Sequence, residues 1–568
     1  MLHMKGAGVL KDTFLYRFLR SSVFGTLVHY CSGRKIFTYE DGDLDLNYNC
    51  YKNESDRNKD DSDRNKEESS AEENNQKASI DEEKSFGDDA DAVLREKIII
   101  SWDGPNDPDN PYNWPLYAKC VFIFMIVFLT TSVYSASAIY TPGESQIMKS
   151  LNVSQTVAIL PLTLFVIGYG LGTVAFSPMS ETARLGRAPI YIVTLLIFVV
   201  LQIPTALVDN IAGLCILRFI GGIFASPCLA TGAASIGDVL ALPYMTLGLP
   251  VWGMSAVCGP AVGPLVGSVL VVKAGWRWCF WFLLILDGIC LGFLFLLMPE
   301  TYLKTILRRK AQRLRIKTGN NNIVSEGELE GHHMSLGHVA KDLLWRPIVI
   351  IFSEPVVLLI DVYIALIYAM MYLWFEAFPI TFLQTKHFTL VTMGAAYVTL
   401  MVGCLLGAMI YIPVFYYLFT RNLLRGKTVT PEVFLPVAIV GSIFMPLGVF
   451  IFGWTSSKDV HWTGPLVGGA LFTAGAFFEF QTLFNYLAMS FPRYMASVFA
   501  GNNLFRSTVG ACFPLFAHAL YSNLATEKFP VGWGSSIIGF IFVGMMLIPI
   551  FFYIYGPKLR ASSAYSGL

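Results

Sequence analysis

The sequence predicts an all-α polytopic membrane protein that crosses the bilayer twelve times. Twelve apolar stretches lie in series between Tyr117 and Pro557. Each is long enough to cross a hydrocarbon core of ~30 Å, for which a helix needs about 17–25 residues. Of the 568 residues, 54% are hydrophobic and 14% are charged, whereas soluble domains average about 25% charged residues. One apolar stretch could be a buried core helix, but twelve in series indicate membrane spans.

The predicted spans form two groups of six. They are residues 117–137, 156–177, 189–208, 211–235, 246–272, 278–298, 355–376, 392–418, 433–453, 462–488, 495–521 and 533–555. A long break, residues 299–354, separates span 6 from span 7. It predicts two six-helix halves, 117–298 and 355–556, joined by a central loop.

The loop charges predict the orientation. The loops after spans 2, 4, 6, 8 and 10, together with the C-terminal tail, hold seventeen Lys and Arg residues, and the loops on the opposite side hold six. Nine of the seventeen lie in the central loop. Because Lys and Arg are enriched in cytoplasmic loops, both tails (1–116 and 557–568) and the central loop are predicted to be cytoplasmic.

The N-terminal tail is predicted to be largely disordered. Residues 54–91 carry fifteen acids and six bases, and such a segment cannot bury enough apolar surface to fold. No uninterrupted apolar core precedes a small-residue cleavage site, so the sequence does not predict a secretory signal peptide. In the first outer loop, Asn152 begins an Asn-Val-Ser sequence and is a candidate glycosylation site.

Composition argues against several classes of function. The net charge is zero, so bulk charge indicates no nucleic-acid partner. None of the ten cysteines forms a CxxC pair, which argues against a zinc site and a disulfide framework. No GxxxxGK[ST] sequence is present, so ATP is not the expected energy source. With no metal cluster or nucleophile triad evident, we expect neither an enzyme nor a bound metal or cofactor.

Arg218 lies inside span 4. A guanidinium in the bilayer costs roughly 2.5–3.5 kcal/mol on insertion scales. It could form a structural ion pair or extend towards the nearer surface. It could also be a charge in the transport pathway that tunes a neighbouring acid. We favour the pathway role, because no capping or packing role requires Arg at this position.

Few acids lie within the spans. Asp287 is in span 6, Asp361 and Glu376 are in span 7, Glu479 is in span 10, and Asp238 marks the end of span 4. Burial favours the neutral form of a carboxyl group, so an embedded acid can exchange protons and is a functional candidate. Asp238 and Glu376 are close enough to span ends to be solvated, whereas Asp361 lies about two turns inside.

Span 5 is unusually rich in glycine and proline. Glycines four residues apart allow two helices to approach closely, and proline bends a helix. The pattern predicts a kinked, close-packed helix that serves either packing alone or as a hinge or seal. The residues concerned are Gly253, Gly259, Pro260, Gly263, Pro264 and Gly267.

The loop after span 2 carries Glu181, Arg184, Gly186 and Arg187. An acid and two arginines at a junction between helices can form a charge cluster that breaks and re-forms as a gate. Taken alone, the same residues are also typical of a positively charged cytoplasmic loop with a glycine turn.

Span 10 has polar groups that could hydrogen-bond a substrate. They are Gln481, Asn485 and Tyr486.

These features together resemble the major facilitator superfamily. The GPxxG run at 259–263 resembles the signature of its proton-coupled exporters. Four segments are similar to the fungal drug:proton antiporters with twelve spans, and most similar to yeast plasma-membrane pumps linked to azole, benomyl and cycloheximide resistance. The segments are 102–114 (WDGPNDPDNPYNW), 375–379 (FEAFP), 496–502 (ASVFAGN) and 533–536 (WGSS). The resemblance runs from about residue 100 to the C-terminus.

The resemblance implies roles for several residues. In that family spans 1, 4, 7 and 10 line a central cavity, which would put five candidates on cavity helices: Arg218, Asp361, Glu376, Gln481 and Asn485. It implies that Arg218 assists proton transfer and that the loop after span 2 gates the inner side. Two features depart from the family pattern. The acid-to-glycine spacing in that loop is five residues rather than three, and Pro264 stands where a second glycine is common.

The resemblance implies a monomeric plasma-membrane transporter that exchanges inward-moving protons for outward-moving amphipathic drugs. A nutrient or polyamine transporter on the same fold is an alternative, because fold does not determine substrate. A sensor that does not transport is a second alternative. A sensor would be expected to carry a long folded cytoplasmic tail, and the segment after Pro557 is short.

Overall fold

The computed structural model describes residues 97–332, 336–491, 495–561 and 563. Twelve spans are present as two six-helix halves, so the predicted fold class is confirmed. In the N-terminal half, spans 1 to 6 are Leu116–Ala138, Gln155–Ser180, Arg187–Leu207, Ile211–Ala225 continued by Pro227–Val239, Leu242–Ala274 and Trp278–Leu297.

The C-terminal half has more interruptions. Span 7 is Pro355–Phe378 with a π-helical extension, Pro379–Thr385. Span 8 is Leu390–Ala396 and Val398–Phe415, followed by a π-helical turn, Tyr416–Thr420, and the short helix Arg421–Leu424. After the 3₁₀ turn Pro431–Phe434, spans 9 to 12 are Leu435–Thr455, Thr463–Ser490, Met495–Asn523, and Gly532–Met545 with Leu547–Ala561.

Spans 4 and 11 differ from the others. Within the described residues, ten helices are long and apolar enough to cross a membrane, and these two fall outside that set. Span 4 is interrupted at Ser226, since Pro227 begins a new helix and supplies no N–H to the first one. Span 11 is continuous, but Asn502, Asn503 and Arg506 lower its hydropathy. These polar residues belong to the site described below.

Glycines let the spans of each half approach closely. In the C-terminal half, Gly448 of span 9 faces Gly468 of span 10. A Cβ added to Gly468 would lie 2.7 Å from the carbonyl oxygen of Gly448. Small residues at such contacts bring helix backbones together where the bilayer supplies no hydrophobic driving force. The same arrangement recurs between spans 1 and 5, where it positions the candidate site.

The segment predicted as a central loop, 299–354, is largely helical. It contains the helices Leu303–Thr318, Glu326–His332 and Leu336–Ser353. Residues 97–99 and 312–324 form a small unit of their own, in which the N–H of Ile98 donates to the carbonyl of Asn322 over 2.9 Å. We call the end of the bundle that carries the central segment the inner end, after the predicted orientation, and the opposite end the outer end.

The last part of the predicted N-terminal tail is ordered, while residues 1–96 lie outside the described residues. Asp107 is buried, and its carboxylate accepts the N–H groups of Asp103 and Asp109 at 2.9 Å and the ammonium of Lys310 at 3.2 Å. Burial by itself would raise the pKa of Asp107, but these hydrogen bonds and the Lys310 charge outweigh burial and lower it. Residues 102–114 are therefore organised around one carboxylate.

The first outer loop folds into a 3₁₀ turn, Thr141–Gly143, and a short helix, Glu144–Leu151. Asn152 ends this helix in the left-handed conformation, with φ 51°, and it is exposed. Asn tolerates this conformation better than most residues. The glycosylation of Asn152 stays a prediction.

Candidate functional site

Arg218 lies in a cage of aromatic rings. Its side chain is buried, and one terminal nitrogen donates to the carbonyl of Ser137, at the outer end of span 1, over 2.9 Å. The guanidinium lies 4.1 Å from the centre of the Phe165 ring, with the Tyr140 and Phe280 rings within 6 Å. Its other two nitrogens have no hydrogen-bond partner among the described residues. The cation is thus held by aromatic faces and a helix C-terminus. Among the described residues, it does not form the ion pair that the sequence left open.

The glycines of span 5 position the carbonyl that holds Arg218. Gly259, Gly263 and Gly267 all face span 1. A Cβ added to Gly263 would lie 2.6 Å from the carbonyl oxygen of Ser135, so spans 1 and 5 are in backbone contact. Two features that the sequence analysis treated separately, the GPxxG run and Arg218, therefore meet at the outer end of span 1.

Another side of span 5 contacts the C-terminal half. Gly253 lies against the side-chain amide of Gln481 in span 10, in the space that a Cβ would occupy. A Cβ added to Gly394 of span 8 would lie 3.1 Å from the carbonyl oxygen of Pro264 and would also meet Ser268. Span 5 thus packs against both halves, as a hinge or seal would have to. The structure also brings together Gly253 and Gln481, which the sequence analysis did not connect.

Three tyrosine hydroxyls join the two halves. Tyr169 of span 2 is hydrogen-bonded to Tyr368 of span 7, and Tyr372 lies 3.3 Å from both hydroxyls. The Tyr372 hydroxyl also donates to the hydroxyl of Ser137 over 3.1 Å. We call Tyr169, Tyr368 and Tyr372 the tyrosine cluster. It links span 7 directly to the residue whose carbonyl holds Arg218.

Arg506 of span 11 is a second buried arginine, which the sequence analysis did not select. It donates twice to the side-chain oxygen of Asn503, at 2.6 and 3.0 Å, and once to the hydroxyl of Tyr134 in span 1, at 3.1 Å. Asn503 in turn donates to Thr173 of span 2 over 3.0 Å. The sequence did carry the signal, because an arginine inside span 11 is as costly as Arg218 in span 4.

Asp361 is bonded to the same helix. Its side chain is buried, and one oxygen accepts the amide of Asn502 at 2.7 Å. The other oxygen has no hydrogen-bond partner in the part of the chain that the structure describes. Asn502 precedes Arg506 by one helical turn. Spacing within span 7 could not reveal this partner, because span 11 supplies it.

Glu479 and Asp287 are each held within their own half. The Glu479 carboxyl accepts the hydroxyl of Tyr363 over 3.3 Å, and Asp287 accepts the hydroxyl of Ser132. Each retains one oxygen without a hydrogen-bond partner among the described residues. Across the same residues, no group of three or more His, Cys, Asp or Glu side chains is placed to hold a metal ion.

Asp238 lies far from Arg218 along span 4, at the inner end. There its carboxylate accepts hydrogen bonds from Arg187, one from Nε and one from Nη2 over 3.3 Å. Arg187 also lies 3.8 Å from Glu181. Arg184, a predicted member of this gate, is exposed. The structure thus gathers Glu181, Arg187 and Asp238 within the N-terminal half. These contacts tie the inner ends of spans 2, 3 and 4 together and do not cross to the other half.

Glu300 completes this cluster and was missed from the sequence. Its carboxylate accepts the backbone N–H of Arg187 at 2.9 Å and a guanidinium nitrogen of Arg309 at 3.1 Å. Gly186 adopts φ +77°, and a Cβ there would collide with this carboxylate. A glycine is needed at 186 on both counts. Glu300 follows span 6 directly, so its pairing with the span 2–3 loop depends on tertiary structure.

Tyr486, predicted to face a substrate, lies instead at the inner end of the C-terminal half. Its hydroxyl accepts from Arg560 over 3.2 Å, and its ring stacks on Phe552 of span 12. Arg560 also binds Glu432. Asn485 donates to the hydroxyl of Tyr411 over 3.2 Å, within the same half. Of the three polar groups predicted for span 10, only Gln481 reaches the N-terminal half.

Glu376 is buried at the outer end of span 7 and contacts the N-terminal half. One carboxylate oxygen accepts the side-chain amide of Gln155, the first residue of span 2, over 3.2 Å. Glu144, the first residue of the short helix Glu144–Leu151, lies close to this carboxyl group. Although Glu376 is near the span end, it is not solvated. Glu144 was overlooked, because it falls in the segment predicted as an outer loop.

Comparison with known proteins identifies the family. Residues 122–514 match the family model described as Major Facilitator Superfamily. The chain is 53% identical to a cycloheximide resistance protein of Candida maltosa, over 97% of this chain and 99% of the relative. It is 42% identical to fluconazole resistance protein 1 of Saccharomyces cerevisiae, over 85% of this chain and 88% of the relative.

Solved structures show the same fold. The human organic anion transporter MFSD10 (TETRAN) aligns with a TM-score of 0.52 and 16% identity, covering 77% of this chain and all of that one. At this identity the likeness concerns the fold alone, whereas the family model and the yeast relatives cover most of the chain. The chain therefore belongs to the major facilitator superfamily and, within it, to the fungal drug:proton antiporters with twelve spans.

Proposed function

We propose that this protein exports structurally diverse amphipathic toxic compounds, antifungal drugs among them, across the plasma membrane in exchange for protons. The observation that carries the proposal is the likeness, over nearly the whole chain, to a yeast protein named for cycloheximide resistance. A second relative is named for fluconazole resistance. Resistance to unrelated toxic compounds is what export of a broad class of molecules produces.

The contacts between the halves support alternating access. The bonds from Tyr372 to Ser137 and from Arg506 to Tyr134 join span 1 to the C-terminal half, and the contact of Gln155 with Glu376 joins span 2 to span 7. A rocking motion of one half against the other has to break these bonds. Because all are between buried polar groups, breaking them is costly unless water or a substrate replaces the lost partner.

Arg218 supports proton coupling. Its guanidinium has no carboxylate partner among the described residues that surround it, so its positive charge is not neutralised locally. Such a charge acts on nearby titratable groups through a medium of low dielectric constant. The Ser137 and Tyr372 hydroxyls extend the connection to span 7, where Glu376 lies one turn further out.

Aromatic side chains support a preference for amphipathic substrates. Phe480 and Phe484 of span 10 and Tyr368 of span 7 lie around Arg506, with Gln481 as a nearby amide. Aromatic walls with few polar groups suit apolar compounds that carry one or two hydrogen-bonding groups. The buried acids of spans 7 and 10 are bonded to protein groups, so no specific observation favours the polyamine, nutrient or sensor alternatives.

The proposal includes a monomeric transporter with both termini on the cytoplasmic side and no cofactor other than the coupled proton. The excess of Lys and Arg at the inner end supports this orientation. The helix Leu303–Thr318 alone carries Lys304, Arg308, Arg309 and Lys310 on the inner side.

The test is efflux of a fluorescent drug from proteoliposomes that hold the purified protein, with an imposed pH gradient or with ATP. Transport should follow the pH gradient, stop when a protonophore collapses it, and be unaffected by ATP. Transport driven by ATP without a pH gradient would refute proton coupling. Failure of cells that express the protein to become more resistant to cycloheximide or fluconazole would refute the proposed substrate class.

A further inference from the structure

We propose that Asn502 and Arg506 of span 11 form a recognition subsite for neutral compounds that carry an N–H group next to a C=O group, as amides and cyclic imides do. The inference deepens the proposed function and rests on it. It assigns a chemical class of substrate to two side chains at the boundary between the halves.

The two side chains combine an unused donor with an unused acceptor. Both are buried. The Nη1 atom of Arg506 and the Oδ1 atom of Asn502 have no hydrogen-bond partner among the described residues. Buried polar atoms are normally paired, and leaving one unpaired is costly. A ligand that supplies one acceptor and one donor therefore satisfies both atoms.

Asp361 of span 7 orients the amide of Asn502. One of its carboxylate oxygens accepts the Asn502 side-chain nitrogen at 2.7 Å. This bond uses the nitrogen within the protein and leaves the side-chain oxygen as the free end of the amide. Asp361 is thus a positioning residue for the subsite.

The charges of the subsite select a neutral ligand. An anionic group would pair with Arg506, but it has no donor for the free oxygen of Asn502, which can only accept. A cationic group would be repelled by the guanidinium at close range in a medium of low dielectric constant. A neutral group with both a donor and an acceptor meets neither obstacle.

The spacing along span 11 favours a donor and an acceptor that are close together in the ligand. Asn502 and Arg506 are one helical turn apart, so their Cβ atoms are separated by about 5–6 Å. Two hydrogen bonds of about 2.9 Å each can bridge such a pair through one small polar group. In an amide or a cyclic imide, the N–H and C=O groups belong to one planar unit of that size.

Aromatic rings beside the guanidinium provide a place for the apolar part of the ligand. The ring centres of Phe480, Tyr368 and Phe484 lie 5.0, 5.3 and 5.9 Å from the central carbon of the Arg506 guanidinium. Large aromatic faces around a few polar atoms are typical of sites for amphipathic small molecules.

The N-terminal half covers the subsite in the state described here. Arg506 donates through Nη2 to the hydroxyl of Tyr134 in span 1 over 3.1 Å, and Asn503 donates to Thr173 of span 2 over 3.0 Å. Movement of one half away from the other breaks these bonds and opens the subsite. The subsite therefore takes part in binding when the halves separate, which is what a site used in alternating access requires.

The test compares two ligands that differ at one atom. Cycloheximide carries a glutarimide ring, in which an N–H group lies between two C=O groups, and its N-methyl derivative has a methyl group in place of that hydrogen. Equilibrium binding of both compounds is measured on the purified full chain in lipid nanodiscs. Efflux of both is measured in proteoliposomes with an imposed pH gradient.

The parent protein should bind cycloheximide roughly tenfold more tightly than the N-methyl derivative, because the derivative leaves a buried acceptor unpaired. In Asn502→Ala this preference should disappear through weaker binding of cycloheximide, with the affinity for the derivative unchanged. Arg506→Lys loses the planar fork of the guanidinium, so it should weaken the binding of both compounds and keep the preference. The matched control is Thr508→Val, at an exposed position of the same span, which should leave both affinities unchanged.

Two outcomes would overturn the subsite. These are equal affinities of the parent protein for the two compounds, as expected if only water satisfies the two atoms, and a preference that survives unchanged in Asn502→Ala. If Asn502→Ala does not fold, Arg506→Lys decides, since unchanged affinities in that variant would also overturn it. Failure of the proposed function is distinguishable, because it would show as selective binding without efflux driven by the pH gradient. Failure of the subsite would show as efflux that does not depend on Asn502 or Arg506.

Discussion

The two buried arginines are held in different ways. The groups that contact Arg218 directly belong to its own half: the Ser137 carbonyl and the rings of Tyr140, Phe165 and Phe280. Arg506 instead reaches across to Tyr134 of the other half. When the halves rock against each other, Arg218 keeps these direct contacts, whereas Arg506 loses its bond to Tyr134. One arginine is a constant charge, and the other depends on how the halves are arranged.

The largest effect on efflux is expected when the constant charge of Arg218 is removed. Arg218→Ala should lower efflux roughly 5–150-fold, because this is the range that coupling free energies of about 1–3 kcal/mol produce. Membrane insertion should be intact, because removing a buried charge eases it. Drug efflux is measured at matched surface expression, with the exposed Arg425→Ala as the control. Efflux by Arg218→Ala equal to that of the parent protein would contradict the role.

The support of Arg218 can be tested without touching the arginine. Gly263→Leu places a side chain where the carbonyl of Ser135 is only 2.6 Å from the Cβ position. Overpacking of this kind costs about 1–3 kcal/mol, and it should displace span 1 and reduce efflux severalfold. The matched control is Gly288→Leu in span 6, where nothing lies within 4 Å of the Cβ position. Equal efflux by the two variants would show that the contact of spans 1 and 5 is not required.

Asp361 is bonded to Asn502, one helical turn before Arg506, so it tests the surroundings of the second arginine. Asp361→Asn keeps the size of the side chain and allows a bond to Asn502, but it cannot titrate. If Asp361 carries protons, the variant should lose the pH dependence of efflux while still binding neutral drugs. Efflux is measured across pH 5–8 together with equilibrium drug binding, and Glu479→Gln, at another buried acid of the same half, serves as the comparison. An unchanged pH profile would assign Asp361 to packing.

The smallest effect is expected for the bond that crosses between the halves. Tyr134→Phe removes the hydroxyl that accepts from Arg506 and leaves the ring in place. Losing one hydrogen bond of this kind costs about 1 kcal/mol. The population of the state described here should therefore fall roughly fivefold relative to the alternative state. Distance measurements between labels on the two halves report this ratio. An unchanged ratio would mean that Arg506 does not distinguish the two arrangements.

Periodicity and composition determined the spans and their grouping. The predicted bounds of spans 1, 3 and 6 fall within two residues of the observed helices, because apolar length alone defines a membrane helix. The sequence also identified Arg218 as a candidate functional residue, because a charge inside an apolar stretch is unusual. Arg506 carried the same signal and was overlooked, although no tertiary information was needed to notice it.

Which polar side chains bind each other was decided by the tertiary structure. The sequence marked Asp238 and Arg218 as candidates in one span, yet the fold binds Asp238 to Arg187 at the inner end and leaves Arg218 to a carbonyl and aromatic rings. The sequence also marked Glu376 without its hydrogen-bond partner Gln155, which lies in the other half of the chain. Membrane helices expose the same apolar character on most sides, so periodicity does not determine which side faces which neighbour. Close glycine contacts and buried hydrogen bonds determine that, and they exist only once the helices have packed.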